Sequence, residues 1–389
     1  MLGRFAAILF AVLLAACSSS DGGLPATDAR AADSSGHRYL FAPSFASNIV
    51  SVYDLDSGRL AASIPAQARG PCCAHATPDG RTVFVVDGLS PYVTRIDVAT
   101  LQVSGLIRLN GFWGDRGVPI RGDGSLFWIS TLPDGFLEAI DTASNEVVRS
   151  FPLISNTFTL SRDGQTLYSA NTTTLPTAFA ATATTFAVRS PDSGKVLATA
   201  ILPLALENSP LQMYVSPDER KVYVQMLGAT GVVHVVDVSD RTRPRYMRTV
   251  KVGAVPIVAG FTPDGSQLWF PNSGDGTVSI LDVATDTIVH VIDIGPYVAG
   301  VAILGERAYV SVSPGIIANP VLSQALLFAG LIPGAAVTPP DAGSTVYRPL
   351  LELPGEVLTF DARTYRQLPL PPMPLPSASH VIEVVDSGG

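Results

Sequence analysis

The sequence predicts an all-β fold, a seven-bladed β-propeller of four-stranded antiparallel blades, and three observations support that prediction. A unit of four strand-like segments recurs along the chain, with its clearest copy at residues 257–294. Within that unit, β-branched and aromatic residues alternate with polar ones between Gly, Pro, Asn and Asp, as in half-buried antiparallel strands. The copies follow one another at a nearly constant spacing, and the last strand-like segment has no unit after it.

The spacing of the copies is measured at the end of the third strand, where an apolar residue precedes aspartate. This position is occupied by Asp54, Asp97, Asp141, Ser190, Asp237, Asp282 and Asp361. Successive spacings are 43, 44, 49, 47, 45 and 79 residues, so the last copy carries an insertion, assigned to residues 316–354. A four-strand period of about 40–45 residues is typical of propeller blades. Because each aspartate precedes a tight turn, we expect turn capping rather than metal binding.

Three of the copies also resemble a known family. Residues 168–171 (YSAN) and 269–272 (WFPN), with 278–295 (VSILDVATDTIVHVIDIG) and 94–103 (TRIDVATLQV), resemble the YVTN-type β-propeller repeats of bacteria. The resemblance extends over roughly residues 38–389 and implies the fold. It implies little about function, since the family contains binding, scaffold and cofactor-associated members.

The repeating units are assigned in chain order. The first unit begins at its second strand, so its innermost strand is missing. The next five units occupy 71–109, 118–153, 155–204, 211–252 and 256–294, and the seventh occupies 297–372. We expect residues 379–385 to supply the missing inner strand of the first unit, because ring closure removes exposed sheet edges.

The two faces of the predicted disc differ in their loops. The short-turn face carries the first-to-second and third-to-fourth turns of each blade. The opposite face, the connector face, carries the second-to-third turns and the blade-to-blade connections. All long segments belong to the connector face: 66–71, 110–117, 172–184, 205–210 and 316–354. Long loops gathered on one face of a repetitive scaffold are typical of binding surfaces, so we expect a ligand or partner there.

The N-terminus has the features of a bacterial lipoprotein signal peptide at residues 1–16. A short basic region at Arg4 precedes an apolar run and the sequence Leu-Ala-Ala before Cys17, which resembles a lipobox. An ordinary signal peptide or a membrane-spanning helix are the alternatives, but the apolar run is shorter than the roughly 20 residues of a span. We expect cleavage before Cys17 and anchoring through lipid chains, including palmitate. Ser18 favours the outer membrane, facing the periplasm or the cell surface, and residues 17–36 form the anchor and a flexible tether.

Cys72 and Cys73 are the sharpest local feature, and three interpretations of them are open. A bond between adjacent cysteines would close a strained ring, because their Cα atoms lie about 3.8 Å apart, and this ring would form a stiff platform for a ligand. A soft-metal or redox site with His75 would require a distorted strand, since successive strand residues face opposite ways. The third interpretation is two small buried hydrophobes.

Further candidate residues lie near the predicted channel and on the connector face. His75 and His380 fall on predicted inner strands of neighbouring blades, where each is a ligand or an ordinary hydrogen-bonded polar group. Phe112, Trp113 and Arg116 belong to an amphipathic loop, and aromatic and arginine side chains in exposed loops are typical binding anchors. The alternative for this loop is packing on its neighbour.

The insertion contains a short predicted helix. Asn319 before Pro320 and a terminal Gly334 are typical helix boundaries, and the segment between them is almost entirely apolar. It is too short to span a bilayer. We expect either a lid over the mouth of the channel or a surface for a partner or lipid.

Composition and the absence of motifs limit the function. Lys and Arg number 25 against 33 Asp and Glu, a net charge of −8 without polybasic runs, so nucleic acid is a poor partner. No HExxH, EF-hand, Walker, GxSxG or GxGxxG motif is present. We therefore predict no catalytic residues, no metal ligands and no cofactor. One domain, 37–389, is expected to act as a monomer.

The predicted function is binding: an envelope lipoprotein whose propeller holds a small molecule or an envelope protein. Cys72, Cys73, His75, Phe112, Trp113 and Arg116 are its candidate binding residues. The alternative is a redox or metal protein, an accessory of quinone-dependent dehydrogenases, or a lactonase-like propeller enzyme.

Overall fold

The strands of the chain assemble into seven four-stranded sheets. The computed structural model describes residues 36–88, 90–114, 120, 122–132, 135–153, 155, 157–175, 180–203, 209–228, 230–313, 353–379 and 381–387. The first fifteen strands are β1 Arg38–Ser44, β2 Ile49–Asp54, β3 Arg59–Pro65, β4 Pro71–Ala76, β5 Thr82–Asp87, β6 Tyr92–Asp97, β7 Gln102–Arg108, β8 Phe112–Gly114, β9 Leu126–Leu132, β10 Phe136–Asp141, β11 Glu146–Pro152, β12 Thr157–Leu160, β13 Leu167–Leu175, β14 Ala180–Arg189 and β15 Val196–Leu202. The remaining strands are β16 Ser209–Val215, β17 Lys221–Leu227, β18 Val232–Asp237, β19 Arg245–Lys251, β20 Gly260–Phe261, β21 Gln267–Asn272, β22 Thr277–Asp282, β23 Thr287–Asp293, β24 Val298–Leu304, β25 Arg307–Val312, β26 Gly355–Asp361, β27 Met373–Leu375 and β28 Glu383–Asp386.

The sheets are the blades of a seven-bladed propeller, which confirms the predicted fold class. Blades 2 to 7 each use four consecutive strands, from β4–β7 to β24–β27, and every pairing inside them is antiparallel. Blade 1 has the order β28-β1-β2-β3, so the C-terminal strand is its innermost strand. Tyr39 pairs with Val385 and Phe41 with Glu383. The predicted closure of the ring by the C-terminal segment is therefore confirmed.

The recurring aspartates cap the turns between third and fourth strands. Asp54 Oδ1 accepts hydrogen bonds from the backbone N–H and the hydroxyl of Ser57, both at 2.7 Å. Asp282 accepts the same pair from Thr285, at 2.8 and 2.7 Å. The same arrangement recurs at Asp97, Asp141 and Asp361, and Asp237 accepts the corresponding pair of bonds from Ser239, two residues further on. These bonds hold the pKa of Asp282 below its usual value, since they favour the charged form. The turn-capping prediction is confirmed.

The core lies between the blades and is built on one position of the second strand. At that register the blades carry Phe41, Phe84, Trp128, Tyr168, Tyr223, Trp269 and Tyr309, all buried. Phe84 of blade 2 stacks on Phe127 of blade 3, with ring centroids 4.7 Å apart. Burying a large apolar side chain contributes roughly 1.5–3 kcal/mol, so seven such positions stabilise every blade interface.

Two segments predicted as connector loops are strands instead. Residues 112–114, which include Phe112 and Trp113, form the inner strand β8 and pair with Leu132, Thr131 and Ser130 of β9. Blade 3 therefore begins before residue 118. Glycines flank this segment, so its sequence resembles that of a loop. It forms a strand because the backbone N–H and C=O groups at the edge of β9 require hydrogen-bond partners. Most of residues 172–184 likewise extend the β13–β14 hairpin, which pairs as far as Leu175 and Ala180.

Candidate functional site

The seven inner strands surround a central channel, and one level of it is defined by strand register. The residue of each inner strand that pairs with the buried aromatic position of the second strand lies at this level. In six blades it is Glu383, His75, Thr159, Tyr214, Gly260 and Ala302. Four of these are polar or titratable and come from blades 1, 2, 4 and 5. The residues of blades 6 and 7 are small, so this level of the channel is asymmetric.

Close contact between neighbouring inner strands narrows the channel at two places. Val258 and Gly300 form a parallel bridge between blades 6 and 7, and Cys73 and Val381 form another between blades 2 and 1. Gly260 is required for the first approach, because a Cβ there would lie 2.8 Å from the carbonyl oxygen of Val301. The inner strands of blades 6 and 7 therefore pack edge against edge on one side of the channel.

The six residues at this level of the channel line a cavity of about 340 Å³. Its wall also includes Gln212, Met213, Val258, Ala259, Phe261, Val301, Ile303, Val381, Ile382 and Val384. Most of the lining residues are apolar, but polar and apolar atoms contribute almost equally to the exposed wall, and Glu383 is the one carboxylate among the described residues that line it. A volume of this size is within the range of small-molecule sites.

The Glu383 carboxylate is held against the wall of the cavity by backbone groups. The N–H of Ala76 donates to Glu383 Oε2 at 3.3 Å, and the N–H of Val384 donates to Oε1 at 3.1 Å. The side chain keeps partial solvent contact through the cavity, but protein atoms surround it densely. Burial raises the pKa of Glu383 to about 7, because it penalises the charged form more than the two N–H groups favour it. The carboxyl group therefore changes charge near neutral pH.

The neighbouring Tyr214 is fixed by hydrogen bonds within the protein. Its hydroxyl accepts from the N–H of Ala259 at 2.7 Å and donates to Gln225 Oε1 at 3.1 Å. Gln225 in turn donates to the carbonyl oxygen of Pro256 at 2.9 Å. This chain ties blade 5 to blade 6. The titratable residues among the described residues that line the cavity are Glu383, His75 and Tyr214.

The Cys72–Cys73 pair lies at the other end of the inner strand of blade 2. Pairing of β4 with β5 slips between Pro71 and Cys73, which is a β-bulge at Cys72. Both cysteines are buried in one cluster with Phe84 and Phe127. The Cys73 thiol donates to Cys72 Sγ at 2.7 Å, and Cys72 Sγ donates to the carbonyl oxygen of Val86 at 3.5 Å. The strand distortion that a shared site would require is therefore present.

The structure joins some predicted site residues and separates others. His75 lies on the cavity wall beside Glu383, whereas Cys72 and Cys73 pack between blades 2 and 3 and do not line the cavity. Phe112 and Trp113 lie on the inner strand β8. The side chains of Phe112 and Trp113 lie outside the described residues, as do Cys17, Arg116, His380 and nearly all of 316–354.

Sequence reasoning missed Glu383. The signal was present as a single charged residue in the apolar segment Val381–Val385. A carboxylate in the inner strand of a closed ring faces either a blade interface or the channel, and the sequence alone does not decide between them. In the structure, Glu383 lies on the wall of the channel cavity.

The described residues contain neither a metal cluster nor a membrane-spanning helix. Within the described part of the chain, no group of three or more His, Cys, Asp or Glu side chains is placed to hold a metal ion. No helix there is long and apolar enough to cross a membrane.

Comparisons with known proteins identify the fold. No family model and no curated protein matches the sequence. Hydrazine synthase of Kuenenia stuttgartiensis matches with a TM-score of 0.58 at 18% identity, over 75% of this chain and 96% of that chain. Dihydro-heme d1 dehydrogenase NirN in complex with DHE matches with 0.55 at 15% identity, over 94% and 78%. Apo AztD from Citrobacter koseri matches with 0.55 at 11% identity, over 90% and 98%. At these identities the likeness shows the propeller fold alone.

Proposed function

We propose that this chain is a non-catalytic binding propeller that holds a small organic cation in its central channel. The observation that supports it is the cavity of about 340 Å³ whose wall combines apolar side chains with polar groups and carries one described carboxylate, Glu383. A charged donor placed against Glu383 compensates the buried carboxylate, and the apolar wall takes the body of the ligand. His75, beside Glu383 on blade 2, sets the second polar contact.

The proposal includes the place of the protein in the cell. The signal peptide at 1–16 and acylation of Cys17 anchor the chain in the outer membrane, and the tether at 17–36 carries the propeller. The YSAN and WFPN segments support membership of the YVTN-type repeat proteins. The connector face, including the insertion 316–354, remains the proposed surface for an envelope protein.

The test is a thermal-shift screen of the full chain carrying Cys17→Ser, which prevents acylation. The probes are small alkyl- and arylammonium compounds such as phenethylammonium, with the matching neutral alcohols as controls. A ligand that binds only the folded state raises the unfolding temperature as its concentration rises. We expect shifts with ammonium compounds at pH 8, where Glu383 is ionised, and none with the alcohols.

Two variants locate the binding site. Glu383→Gln removes the channel charge and is expected to abolish the shift. Glu356→Gln changes a partly buried glutamate of β26 that does not line the cavity, and is expected to leave the shift unchanged. Equal shifts in wild type and Glu383→Gln, or no shift with any ammonium compound, would reject the proposal.

A further inference from the structure

The Cys72–Cys73 pair is held in an unusual arrangement by the backbone of blade 2. Successive residues of a regular strand point to opposite faces. The bulge at Cys72 cancels that alternation, so both sulfurs lie in the same cluster between blades 2 and 3. The side chains are almost fully buried, with 2% and 1% of their surface exposed.

The bulge is a feature of the propeller backbone and does not depend on the presence of cysteine. The same slip occurs in the inner strand of blade 5, between Pro210 and Gln212, and in that of blade 7, between Val298 and Gly300. Neither strand contains cysteine. The propeller backbone therefore preorganises the two thiols of blade 2 before any chemistry takes place between them.

The two sulfurs meet at one place between blades 2 and 3. Their Sγ atoms are 2.7 Å apart, so the two side chains are already placed next to each other for a bond to form between them.

We propose that Cys72 and Cys73 form a redox modification site that closes to a vicinal disulfide by exchange with a small-molecule disulfide. Local opening of the blade interface exposes one protein thiolate, which attacks the small disulfide, forms a mixed disulfide and releases one small thiolate. The second protein thiolate then attacks the mixed disulfide, forms the Cys72–Cys73 bond and releases the second small thiolate. The two protein protons pass to the two released thiolates, and two electrons pass from the protein sulfurs to the small disulfide.

Oxidation acts on the segment that closes the ring. The peptide bond between the cysteines becomes part of an eight-membered ring, and its Cα separation of about 3.8 Å is shorter than disulfides ordinarily span, so this peptide must distort. Its carbonyl, that of Cys72, accepts a hydrogen bond from the N–H of Val381 at 3.3 Å. The carbonyl oxygen of Val381, just before the closing strand β28, accepts a hydrogen bond from the N–H of Ala74 at 3.1 Å. The redox state is thereby linked to ring closure.

The experiment uses the full chain with Cys17→Ser, in which Cys72 and Cys73 are the only cysteines. The folded protein is equilibrated with glutathione disulfide, acid-quenched, unfolded, treated with iodoacetamide and weighed intact. We expect a mass lower by two hydrogen atoms, no alkylation, no retained glutathione, and full alkylation after dithiothreitol. Two alkylated thiols at equilibrium, or a stable glutathione adduct, would overturn the proposal.

Two transplanted pairs test the role of the bulge in a Cys72→Ser, Cys73→Ser background. Leu211→Cys with Gln212→Cys places a pair on the bulge of blade 5, and this pair is expected to oxidise in the same way. Val301→Cys with Ala302→Cys places a pair on a regularly paired part of β24, and this pair is expected to remain alkylatable or to keep glutathione. Equal closure of both pairs would show that adjacency, not the bulge, drives the reaction.

Discussion

At the scale of single residues, the repeats differ most informatively at the end of the second strand. Asn272 fills this position in blade 6 and donates its amide to Thr277 and Ser279 at 3.0 and 2.9 Å. Asp87 fills it in blade 2, is fully buried, and accepts one bond from Thr94 at 2.8 Å. Its other oxygen has no hydrogen-bond partner. Burial raises the pKa of Asp87 to about 7, against 3.8 for an ordinary aspartate.

This pKa predicts a stability that falls with rising pH. Between about pH 4 and 7 the folded protein keeps a proton that the unfolded chain has lost, so the free energy of unfolding decreases over that window. We expect Asp87→Asn to be more stable than wild type at pH 8 by a few kcal/mol, with the difference vanishing below pH 4. Urea unfolding at each pH measures it.

The reciprocal variant Asn272→Asp is the control for that prediction. It places a buried carboxylate in blade 6. We expect the free energy of unfolding of this variant to be lower than that of wild type at pH 8, and the difference to shrink as the pH falls. If the stability difference between Asp87→Asn and wild type does not change with pH, then Asp87 is not the group that titrates.

At the scale of elements, the sequence predicts the blades well because most blades repeat the same capping and turn residues. A capping aspartate, such as Asp282, and a PDG-type turn recur in most units, so strand order and closure follow from counting. Blade 3 breaks this pattern: its inner strand β8 is three residues long and glycine-flanked, and it forms only because β9 needs a partner. The bulge at Cys72 and the position of Glu383 depend on pairing register, which no single segment encodes.

The closing strand β28 gives a direct prediction. Val385 is buried at 2% exposure in the cluster between blades 1 and 2. Val385→Asp buries an unpaired carboxylate there, and we expect a loss of roughly 3 kcal/mol or more. Val289→Asp makes the same change on the outer strand β23, where the side chain is 50% exposed, and should alter stability by less than about 0.5 kcal/mol. Similar losses for both variants in urea unfolding would argue against closure by β28.

Oxidation of the cysteine pair provides a second prediction at this scale. Distortion of the Cys72 carbonyl weakens the bond from Val381, so the Val381 amide should exchange with deuterium faster in the oxidised protein. Hydrogen exchange of the C-terminal peptide in both redox states measures this. The Cys72→Ser, Cys73→Ser chain, treated with the same oxidant, is the control and should show no change. If the exchange rate of the Val381 amide is the same in both redox states, the disulfide has no effect on the segment that closes the ring.

At the scale of the whole molecule, ring closure and the proposed binding site depend on the same elements. The C-terminal segment completes blade 1, bridges to blade 2 at Cys73, and carries Glu383 to the wall of the cavity. A protein that closed its ring with an apolar strand would have the same fold without this carboxylate in the cavity. The charge at Glu383 is therefore the feature on which the proposed binding site rests.

The most direct test is the pH dependence of ammonium binding, measured by titration calorimetry on the full chain with Cys17→Ser. If binding requires ionised Glu383, the apparent affinity for phenethylammonium falls about tenfold per pH unit below pH 7, because the competent fraction falls by that factor. Glu383→Gln should bind weakly at every pH. His75→Gln, which removes the imidazole on the wall, should keep the wild-type pH profile. Binding that keeps this pH profile in Glu383→Gln, or that shows no pH dependence in wild type, would contradict the assignment of the channel as the binding site.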